Sequence, residues 1–389
     1  MDRRRFLMTS GAGLMAALAG NGVAFAAAPT EKRFVFIFLR GGLDGLHALA
    51  PYADADYRRL RPRIALERDA VIDLDGYFGL HTAMEGLMPL VRAGELAFVP
   101  AAATGYRERS HFDAQNMLEN GSGVPYGARD GWLNRAILGL NAGDRRLGLS
   151  LGPTVPLILQ GQADVQSWSN DTLPDVDADF LTRVAGLYQQ DPAFADAFHD
   201  AQGAIMPDVD MAGMNGQIGA ARNFPLSAQA VAALLAEAAG PRVAVMDLQG
   251  WDTHFAQPVR LRDLLRLLSE GLVALREGLG PVWRDTVVMV GSEFGRTAAE
   301  NGNNGTDHGT GGLAMLAGGA VNGGRILGDW PGLSARALFE ERDVLAVNAY
   351  ESLFKSVLID HLGLGAAYVE GAVFPNARGI APMSGLLRV

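Results

Sequence analysis

The sequence predicts an α/β sandwich built on a parallel sheet, and two observations carry this prediction. Short apolar runs alternate along the chain with longer amphipathic ones, as strands and helices do in α/β folds. The apolar runs are also continuous, with no polar residue at every second position, which is typical of strands buried on both faces. We therefore expect helices on both sides of the sheet.

The predicted elements follow one another in order after residue 29. Strands are expected at 34–39, 96–100, 155–159, 243–248, 286–290 and 313–317. Helices are expected at 82–93, 112–120, 131–139, 227–239, 259–278 and 350–362. In the longest of these the leucines recur at helical spacing opposite the charges, so we assign that stripe to the core. Residues 161–223 are polar and irregular, and we interpret them as an insertion or cap.

Composition excludes several kinds of protein. The 389 residues are 49% hydrophobic, enough for a sizeable core. The net charge is −10 and the basic residues are scattered, which argues against nucleic-acid binding. The chain has no cysteine, so disulfides, cysteine-ligated zinc and a cysteine nucleophile are excluded. A metal site would need histidine and oxygen ligands, which suit zinc, manganese, magnesium or calcium.

The N-terminal residues 1–28 are typical of a cleaved export signal. The segment RRRFL at 3–7 precedes a mildly apolar, small-residue stretch that ends in an Ala-x-Ala site at 24–26. The paired arginines followed by Phe and Leu resemble the twin-arginine signal. A membrane anchor is the alternative, but the stretch is too weakly apolar for a spanning helix. We expect a mature domain of residues 29–389, periplasmic or secreted, without a membrane span.

Four polar clusters each follow a predicted strand. Because the carboxyl ends of parallel strands meet at one edge of a sheet, where ligands bind, we expect the clusters to converge. In strand order they contain Asp44 and His47; Arg107, Arg109, Ser110, His111 and Asp113; Asp252 and His254; and Glu293, Asp307 and His308.

The residue types in these clusters suit a divalent metal. Asp252 and His254 are two residues apart, so one turn can aim both inward. Asp307 and His308 are adjacent in a glycine-rich stretch, where the backbone can approach other segments closely. Carboxylates with neutral imidazoles form a site for divalent metals. Solvated surface loops are the alternative for each cluster taken alone, and Asp44 between glycines could serve a turn.

Ser110 precedes a predicted helix and has two interpretations. It could cap the helix, with Asp113 completing a capping box. It could also be a nucleophile, since a hydroxyl at a helix N-terminus lies where a phosphate or sulfate ester also binds well. Arg107 and Arg109 could clamp an oxyanion or be surface charges.

Taken together, these motifs resemble a known family. The segments LRGGLDGLHALAP, RSHFDAQ, GWDTH, SEFGRT and GTDHGTGG, in this order after a twin-arginine start, are similar to a family of exported bacterial proteins defined as a domain of unknown function. The family looks related to the alkaline phosphatase and sulfatase superfamily, and the resemblance covers nearly the whole mature chain. It implies an alkaline-phosphatase-like three-layer sandwich with a mostly parallel central sheet.

The resemblance also implies roles for individual residues. In the superfamily pattern metal is bound by an Asp after the first strand, an Asp and a His after a middle strand, and a pair after the next strand followed by a later His. The metal set that this implies here is Asp44, Asp252, His254, Glu293, Asp307 and His308. Ser110 would attack, Arg109 would steady the oxyanion, and Phe294 stands where the superfamily has a histidine. His111 could replace that missing imidazole. The sulfatase nucleophile motif is absent.

These residues predict an exported metal-dependent hydrolase that acts on a phosphate, sulfate or related ester. Zinc is the first choice of metal, with manganese, magnesium or calcium as alternatives. Its partners would be a small-molecule or polymer ester substrate and the twin-arginine export machinery. The alternative is a non-catalytic exported metal-binding or assembly protein on the same fold. No Gly-x-Ser-x-Gly elbow supports a serine esterase, and the oligomeric state stays open.

Overall fold

A computed structural model describes residues 30–140, 147–152, 154–168 and 223–388. The predicted signal at 1–28 and most of the predicted insertion at 161–223 lie outside the described residues. No helix in the described part of the chain is both long and apolar enough to cross a membrane.

The strands build one main sheet and two small ones. In chain order they are β1 Arg33–Arg40, β2 Leu49–Ala50, β3 Val71–Asp73, β4 Gly79–His81, β5 Leu96–Ala103, β6 Gly148–Leu151, β7 Val165–Trp168, β8 Val243–Gln249, β9 Thr286–Gly291, β10 Gly312–Ala317, β11 Arg325–Ile326, β12 Leu338–Phe339, β13 Asp343–Val344 and β14 Asn348–Ala349. The main sheet has the order β11-β5-β10-β9-β1-β8-β6-β7, and β14 pairs with β5. The small sheets are β2-β4-β3 and β12-β13.

Most neighbours in the main sheet run parallel. Strand β1 pairs in parallel with β8 and β9, and β6 pairs in parallel with β7 and β8. Strand β10 is antiparallel to both β5 and β9. The predicted fold class, an α/β sandwich with a mostly parallel central sheet, is therefore confirmed.

The antiparallel strand β10 explains how the loop at 292–311 is held. Strand β9 ends at the carboxyl edge of the sheet, the loop remains at that edge, and β10 starts from it and runs back. Because β10 is antiparallel to β5 as well, β5 runs in the same direction as β9 and β1. The carboxyl ends of β1, β5, β8 and β9 thus meet around both ends of this loop.

All six predicted helical segments are helical, two of them partly as 3-10 or π turns, while the short helices α1, α2 and α9 were not predicted. They are α1 Gly45–Ala48, α2 Ala55–Leu60, α3 Met88–Arg92, α4 His111–Asn120, α5 Trp132–Leu140, α6 Phe224–Ala236, α7 Gln257–Leu279, α8 Tyr350–Ser356 and α9 Ala366–Tyr368. Short 3-10 turns occupy Arg68–Ala70, Thr82–Leu87, Leu157–Leu159 and Gly280–Asp285, and π-helical turns occupy Val357–His361 and Val369–Val373.

One predicted strand is wrong, and the short strands escaped prediction, among them β6 and β7 of the main sheet. The apolar run at 155–159 forms a 3-10 turn, Leu157–Leu159, and not a strand. Pro156 precedes this turn, and proline has no N–H to donate to a strand ladder. Strands β6 and β7 have only four residues each, and β7 carries two exposed side chains, so neither has an apolar run long enough to be recognised.

Both faces of the sheet are covered, which makes the sandwich three layers thick. Along β1 the side chains of Val35, Ile37 and Leu39 join a core with α6, α7 and the 82–92 segment. Their neighbours Phe34, Phe36 and Phe38 join a second core with α4, α5 and α8. Complete burial of each such side chain stabilises the fold by about 1.5–3 kcal/mol. The continuous apolar runs follow from this two-sided burial.

We expect Leu268→Ala in α7 to lower the free energy of unfolding by about 2–5 kcal/mol, because it leaves a cavity between this helix and the sheet. Leu268 is fully buried in the first core. Arg266→Ala, on the exposed face of the same helix, is the control, with a change within about 0.5 kcal/mol. Urea unfolding of both variants is the measurement, and equal losses would contradict the packing described.

Candidate functional site

A buried carboxylate, Glu293, fixes one imidazole at the carboxyl edge. Glu293 follows β9 and is fully buried. Its Oε1 accepts hydrogen bonds from the Gly41 N–H at 2.9 Å and from Gln115 Nε2 at 2.9 Å, and it lies 2.7 Å from His111 Nδ1. Because a carboxylate only accepts, Nδ1 of His111 carries the proton. The other ring nitrogen, Nε2, is buried and has no hydrogen-bond partner.

Two further imidazoles are oriented in the same way. His254 Nδ1 lies 3.0 Å from Asp307 Oδ1, and His308 Nδ1 lies 3.0 Å from the backbone carbonyl oxygen of Arg109. Both partners are acceptors, so each Nδ1 donates, and in the neutral form of each ring Nε2 then carries the lone pair. His111 at the start of α4 and the two loop histidines therefore all hold Nδ1 against an oxygen acceptor.

The free Nε2 atoms converge on the carboxylate of Asp252. Oδ1 of Asp252 lies 2.9 Å from His254 Nε2 and 3.2 Å from His308 Nε2. Oδ2 lies 3.6 Å from His111 Nε2. One ligand atom each from His111, Asp252 and His308 fall within 4.8 Å of one another, an arrangement that could hold a metal ion.

The group formed by His111, Asp252, His254 and His308 has a geometry that fits a metal ion. The Nε2 atoms of His254 and His308 are 3.0 Å apart. With both protons on Nδ1, two lone pairs face each other at this distance, which is unfavourable unless a proton or a cation lies between them. Two nitrogens that share one zinc at about 2.0–2.1 Å come within a similar distance of each other. The unpartnered Nε2 of His111 is a third such donor.

Arg296 keeps the carboxylate of Asp252 ionised. Its buried guanidinium donates from Nη1 to Asp252 Oδ1 at 2.6 Å. Burial alone would raise the pKa of Asp252, but the hydrogen bond and charge of Arg296 hold that pKa below its usual value. Asp252 therefore stays an anion, with Oδ2 turned away from the guanidinium and toward His111.

The imidazole pKa values move in opposite directions. Burial lowers the pKa of His111, but the hydrogen bond and charge of Glu293 outweigh it and raise that pKa above its usual value. Burial also opposes ionisation of Glu293, whose pKa is nevertheless lowered by His111 and Gln115. The pKa of His308 is lowered, first by burial and then by the nearby charge of His111. Without a cation in the group, one proton is thus best held on His111.

Glycines let the 292–311 loop fold back on itself. A Cβ on Gly309 would lie 2.4 Å from the backbone of Arg296, and one on Gly305 would lie 2.3 Å from the backbone of His254. No larger residue fits either position without moving the backbone. The glycines of this loop therefore place His308 beside His254, as the sequence suggested.

Asp44, predicted as a metal ligand, lies apart from this group. Its Oδ2 accepts from Arg61 Nη1 at 2.7 Å and from Gln257 Nε2 at 2.6 Å, and its Oδ1 accepts from the Leu46 N–H at 3.0 Å. Asp44 and Arg61 are both buried. Burial would raise the pKa of Asp44, but Arg61 holds it below its usual value. The Asp44 carboxylate is thus committed to an internal ion pair and to capping α1.

Arginines expected at the site point elsewhere. Arg109 donates from Nε to Asp343 at 2.8 Å and also pairs with Glu340. Arg107 Nη1 donates to the backbone oxygens of Thr104 and Tyr106. Arg109 contributes to the group through its carbonyl oxygen and not through its guanidinium.

Ser110 lies directly before the first helical residue of α4 and makes no capping hydrogen bond, so the predicted capping box does not form.

Phe294, the residue in place of an expected histidine, is buried and packs against two of the imidazoles. Its ring centroid is 4.8 Å from that of His111 and 5.1 Å from that of His308. Phe294 therefore forms an apolar wall of the group.

Sequence reasoning missed the supporting residues Arg296, Gln115 and Arg61. Arg296 follows β9 closely, so its position was a usable signal. Gln115 lies one helical turn after His111 and could have been found from that spacing. Nothing in the sequence around Arg61 distinguishes it from the exposed arginines near it.

Comparison with known proteins identifies the family. Residues 31–371 match the family described as "Protein of unknown function (DUF1501)", and the chain belongs to that family. No curated protein matches the sequence.

Solved structures are only distantly similar. A 2-O GAG sulfatase is 11% identical, with 92% of this chain and 76% of that chain covered and a TM-score of 0.44. A phosphonate monoester hydrolase of Agrobacterium radiobacter is 12% identical, with 87% and 77% covered and a TM-score of 0.36. A lipoteichoic acid synthase from Listeria monocytogenes is 10% identical, with 83% and 72% covered and a TM-score of 0.35. Such distant similarity says nothing about the activity of this chain.

We expect Glu293→Gln to lower the pKa of His111 in chelator-treated protein. The carboxylate is the main group that raises this pKa, and burial, which lowers it, remains in the variant. The protonated fraction of His111 should therefore fall at a lower pH than in the wild type. Imidazole NMR titration measures this, and Asp307→Asn, which contacts His254 instead, is the control. An unchanged His111 titration in Glu293→Gln would contradict the assignment.

We expect Arg61→Met to lower the free energy of unfolding by about 3–5 kcal/mol, because it leaves the Asp44 carboxylate buried without its partner. The double variant Asp44→Asn/Arg61→Met should lose less, since no buried charge is left unpaired. Arg63→Met, at a half-exposed position paired with Glu300, should cost about 1 kcal/mol or less. Urea unfolding decides, and a single variant no less stable than the double one would argue against the ion pair.

Proposed function

We propose that this protein is an exported metal-dependent hydrolase that cleaves a phosphate, sulfate or related ester with one divalent metal ion. The proposed ligands are His111, Asp252, His254 and His308. One observation carries the proposal, namely the convergence of the Nε2 atoms of three imidazoles on the carboxylate of Asp252, with each Nδ1 held by an oxygen acceptor.

The donor set favours zinc. Three imidazoles and one carboxylate would fill the four positions that zinc prefers, and a substrate oxygen would have to join them as a fifth ligand, as catalytic zinc sites allow in the transition state. Magnesium and calcium prefer sites built from oxygen ligands, and manganese also favours oxygen-rich sites. Glu293 and Asp307, first expected to be ligands, act in this proposal by orienting His111 and His254 through Nδ1, as carboxylates do around metal-bound histidines. His111 takes the place of the imidazole that Phe294 cannot supply.

The metal count follows from the buried arginines. Arg61 neutralises Asp44, and Arg296 binds one of the two carboxylate oxygens of Asp252. In each pair a guanidinium takes the position that a second cation would need beside the carboxylate. We therefore infer one metal per chain.

An ester is the substrate class that best matches the surroundings. When bound, the metal supplies Lewis-acid stabilisation of the charge that develops on a phosphoryl or sulfuryl oxygen. Helix α4 has ten residues and begins at His111, so its first free N–H groups lie beside the group, where an anion binds favourably. Ser110, with no capping bond, is the proposed nucleophile that attacks phosphorus or sulfur.

A second candidate is a non-catalytic exported metal-binding or assembly protein. The observation in its favour is that Arg107 and Arg109 are bonded away from the group, so neither guanidinium clamps an oxyanion. In this case the metal would hold the three loops together, and no ester would be turned over.

Export remains part of the proposal on the strength of the sequence alone. The paired arginines at the start of the chain and the Ala-x-Ala site at 24–26 support export by the twin-arginine machinery and cleavage near residue 28. A metal set assembled from three separated segments is consistent with that route, since the site would be complete before export.

We expect about one zinc per chain in protein purified after native export and none in Asp252→Ala/His254→Ala, by elemental analysis. Ser110→Ala should keep the metal and lose turnover of aryl phosphate or sulfate esters by about 10³-fold or more. Ser352→Ala, remote from the group on α8, is the control and should keep both.

Three outcomes would count against this account. Wild-type protein purified without metal would indicate that the polar loops after the strands are solvated surface loops and not a metal site. Metal with full turnover in Ser110→Ala would exclude Ser110 as the nucleophile. Metal with no turnover of any ester would favour the second candidate.

A further inference from the structure

Several exposed apolar side chains lie on the segments that carry the proposed metal ligands. Seven large apolar side chains are exposed in the described part of the chain, five of them on α4, at the start of α7 or in the loops next to these helices and two between β13 and β14. They are Phe112, Val124, Tyr126, Phe255, Val259, Leu345 and Val347. Exposed apolar patches of this kind mark binding surfaces.

Two of these residues occupy matching positions. Phe112 directly follows His111, and Phe255 directly follows His254. In both His-Phe pairs the imidazole is directed into the group while the phenylalanine is left in solvent, with 82% of Phe112 and 59% of Phe255 exposed. We define Phe112 and Phe255 as the aromatic pair.

Local backbone strain accompanies both His-Phe segments. Arg109, two residues before His111, has φ 63°, and Ala256, directly after Phe255, has φ 48°. Residues with a side chain rarely adopt this left-handed conformation, and where they do the strain tends to be kept for a functional reason.

The ring of Phe255 is also held in place. The guanidinium of Arg260 lies 4.8 Å from its centroid, within the range of a cation–π contact. Val259 adds an exposed aliphatic side chain beside it. On the side of α4, Val124 adds a second exposed aliphatic side chain and Tyr126 an exposed aromatic one, and the Tyr126 N–H donates to Asn116 Oδ1. The two valines offer no hydrogen bonds to a polar ligand.

We propose that the aromatic pair binds an aryl or alkyl group of the substrate, so that the hydrolase acts on esters of apolar alcohols. This inference rests on the proposed function. The anionic part of the ester would face the metal ligands and the N-terminus of α4. The apolar part would lie against Phe112 and Phe255, each one residue from a ligand, and would lose its contact with water there.

The test uses two non-hydrolysable anions that differ only in their apolar part. Phenylphosphonate should bind zinc-loaded protein at least about tenfold more tightly than methylphosphonate, by calorimetry. Phe112→Ser and Phe255→Ser should each reduce this ratio several-fold, while Phe112→Leu should keep most of it because the side chain stays apolar. Both phenylalanines are exposed, so the variants should fold, and zinc content checks that the ligands remain in place.

Each other outcome has a distinct meaning. Equal binding of the two phosphonates would show that the aromatic pair does not bind the apolar part of the ester, and it would not contradict the proposed hydrolase activity. If neither phosphonate binds, the proposed function is wrong, and neutral 2-naphthol then tests the pair by fluorescence. Loss of 2-naphthol binding in both serine variants would support the pair, and no binding to the wild type would overturn it. Self-association of the wild type that Phe112→Ser abolishes would also overturn it, since the surface would then serve a second copy of the chain.

Discussion

The hydrogen bond between Glu293 and His111 is the interaction on which the site depends. Glu293 is fully buried and receives donors from the loop after β1, from α4 and from His111 itself. One carboxylate thus joins the ends of two neighbouring strands to the start of a helix that packs across the sheet. It also fixes the tautomer of His111, and so decides that Nε2 is the atom turned toward Asp252. His254 and His308 repeat this arrangement with different acceptors, which makes the group a geometric consequence of three hydrogen bonds at Nδ1.

Buried arginines control the charge around this group. Burying a carboxylate is costly unless it is paired. The buried Asp44 is paired with Arg61, the half-exposed Asp252 is paired with the buried Arg296, and both arginines are themselves held by backbone carbonyl oxygens. These pairs keep both carboxylates ionised, yet only Asp252 retains an oxygen directed at the imidazoles. The pairing of these carboxylates with arginines therefore supports a metal position at Asp252 and argues against one at Asp44.

Much of the fold and the general location of the site could be predicted from the sequence, because both depend on local patterns. Continuous apolar runs identified five of the strands in the main sheet, and the position of polar residues just after those strands identified the edge where His111, Asp252, His254 and His308 meet. The roles of Asp44 and Glu293 could not be predicted, since a buried carboxylate can equally be a ligand, a partner of an arginine or an acceptor for an imidazole. Which of these it becomes depends on tertiary contacts, such as Arg61 beside Asp44, that have no signature in sequence spacing. The strand expected at 155–159 failed for a local reason, the proline within it.

The most direct test of the central claim is X-ray absorption at the zinc edge of zinc-loaded protein. This account predicts a single shell of nitrogen and oxygen neighbours at about 2.0–2.1 Å, with the outer-shell pattern of three imidazoles. It also predicts no second metal nearby. Zinc bound without imidazole scattering, or a metal–metal distance of about 3.5–4 Å, would contradict the assignment of one ion to His111, Asp252, His254 and His308.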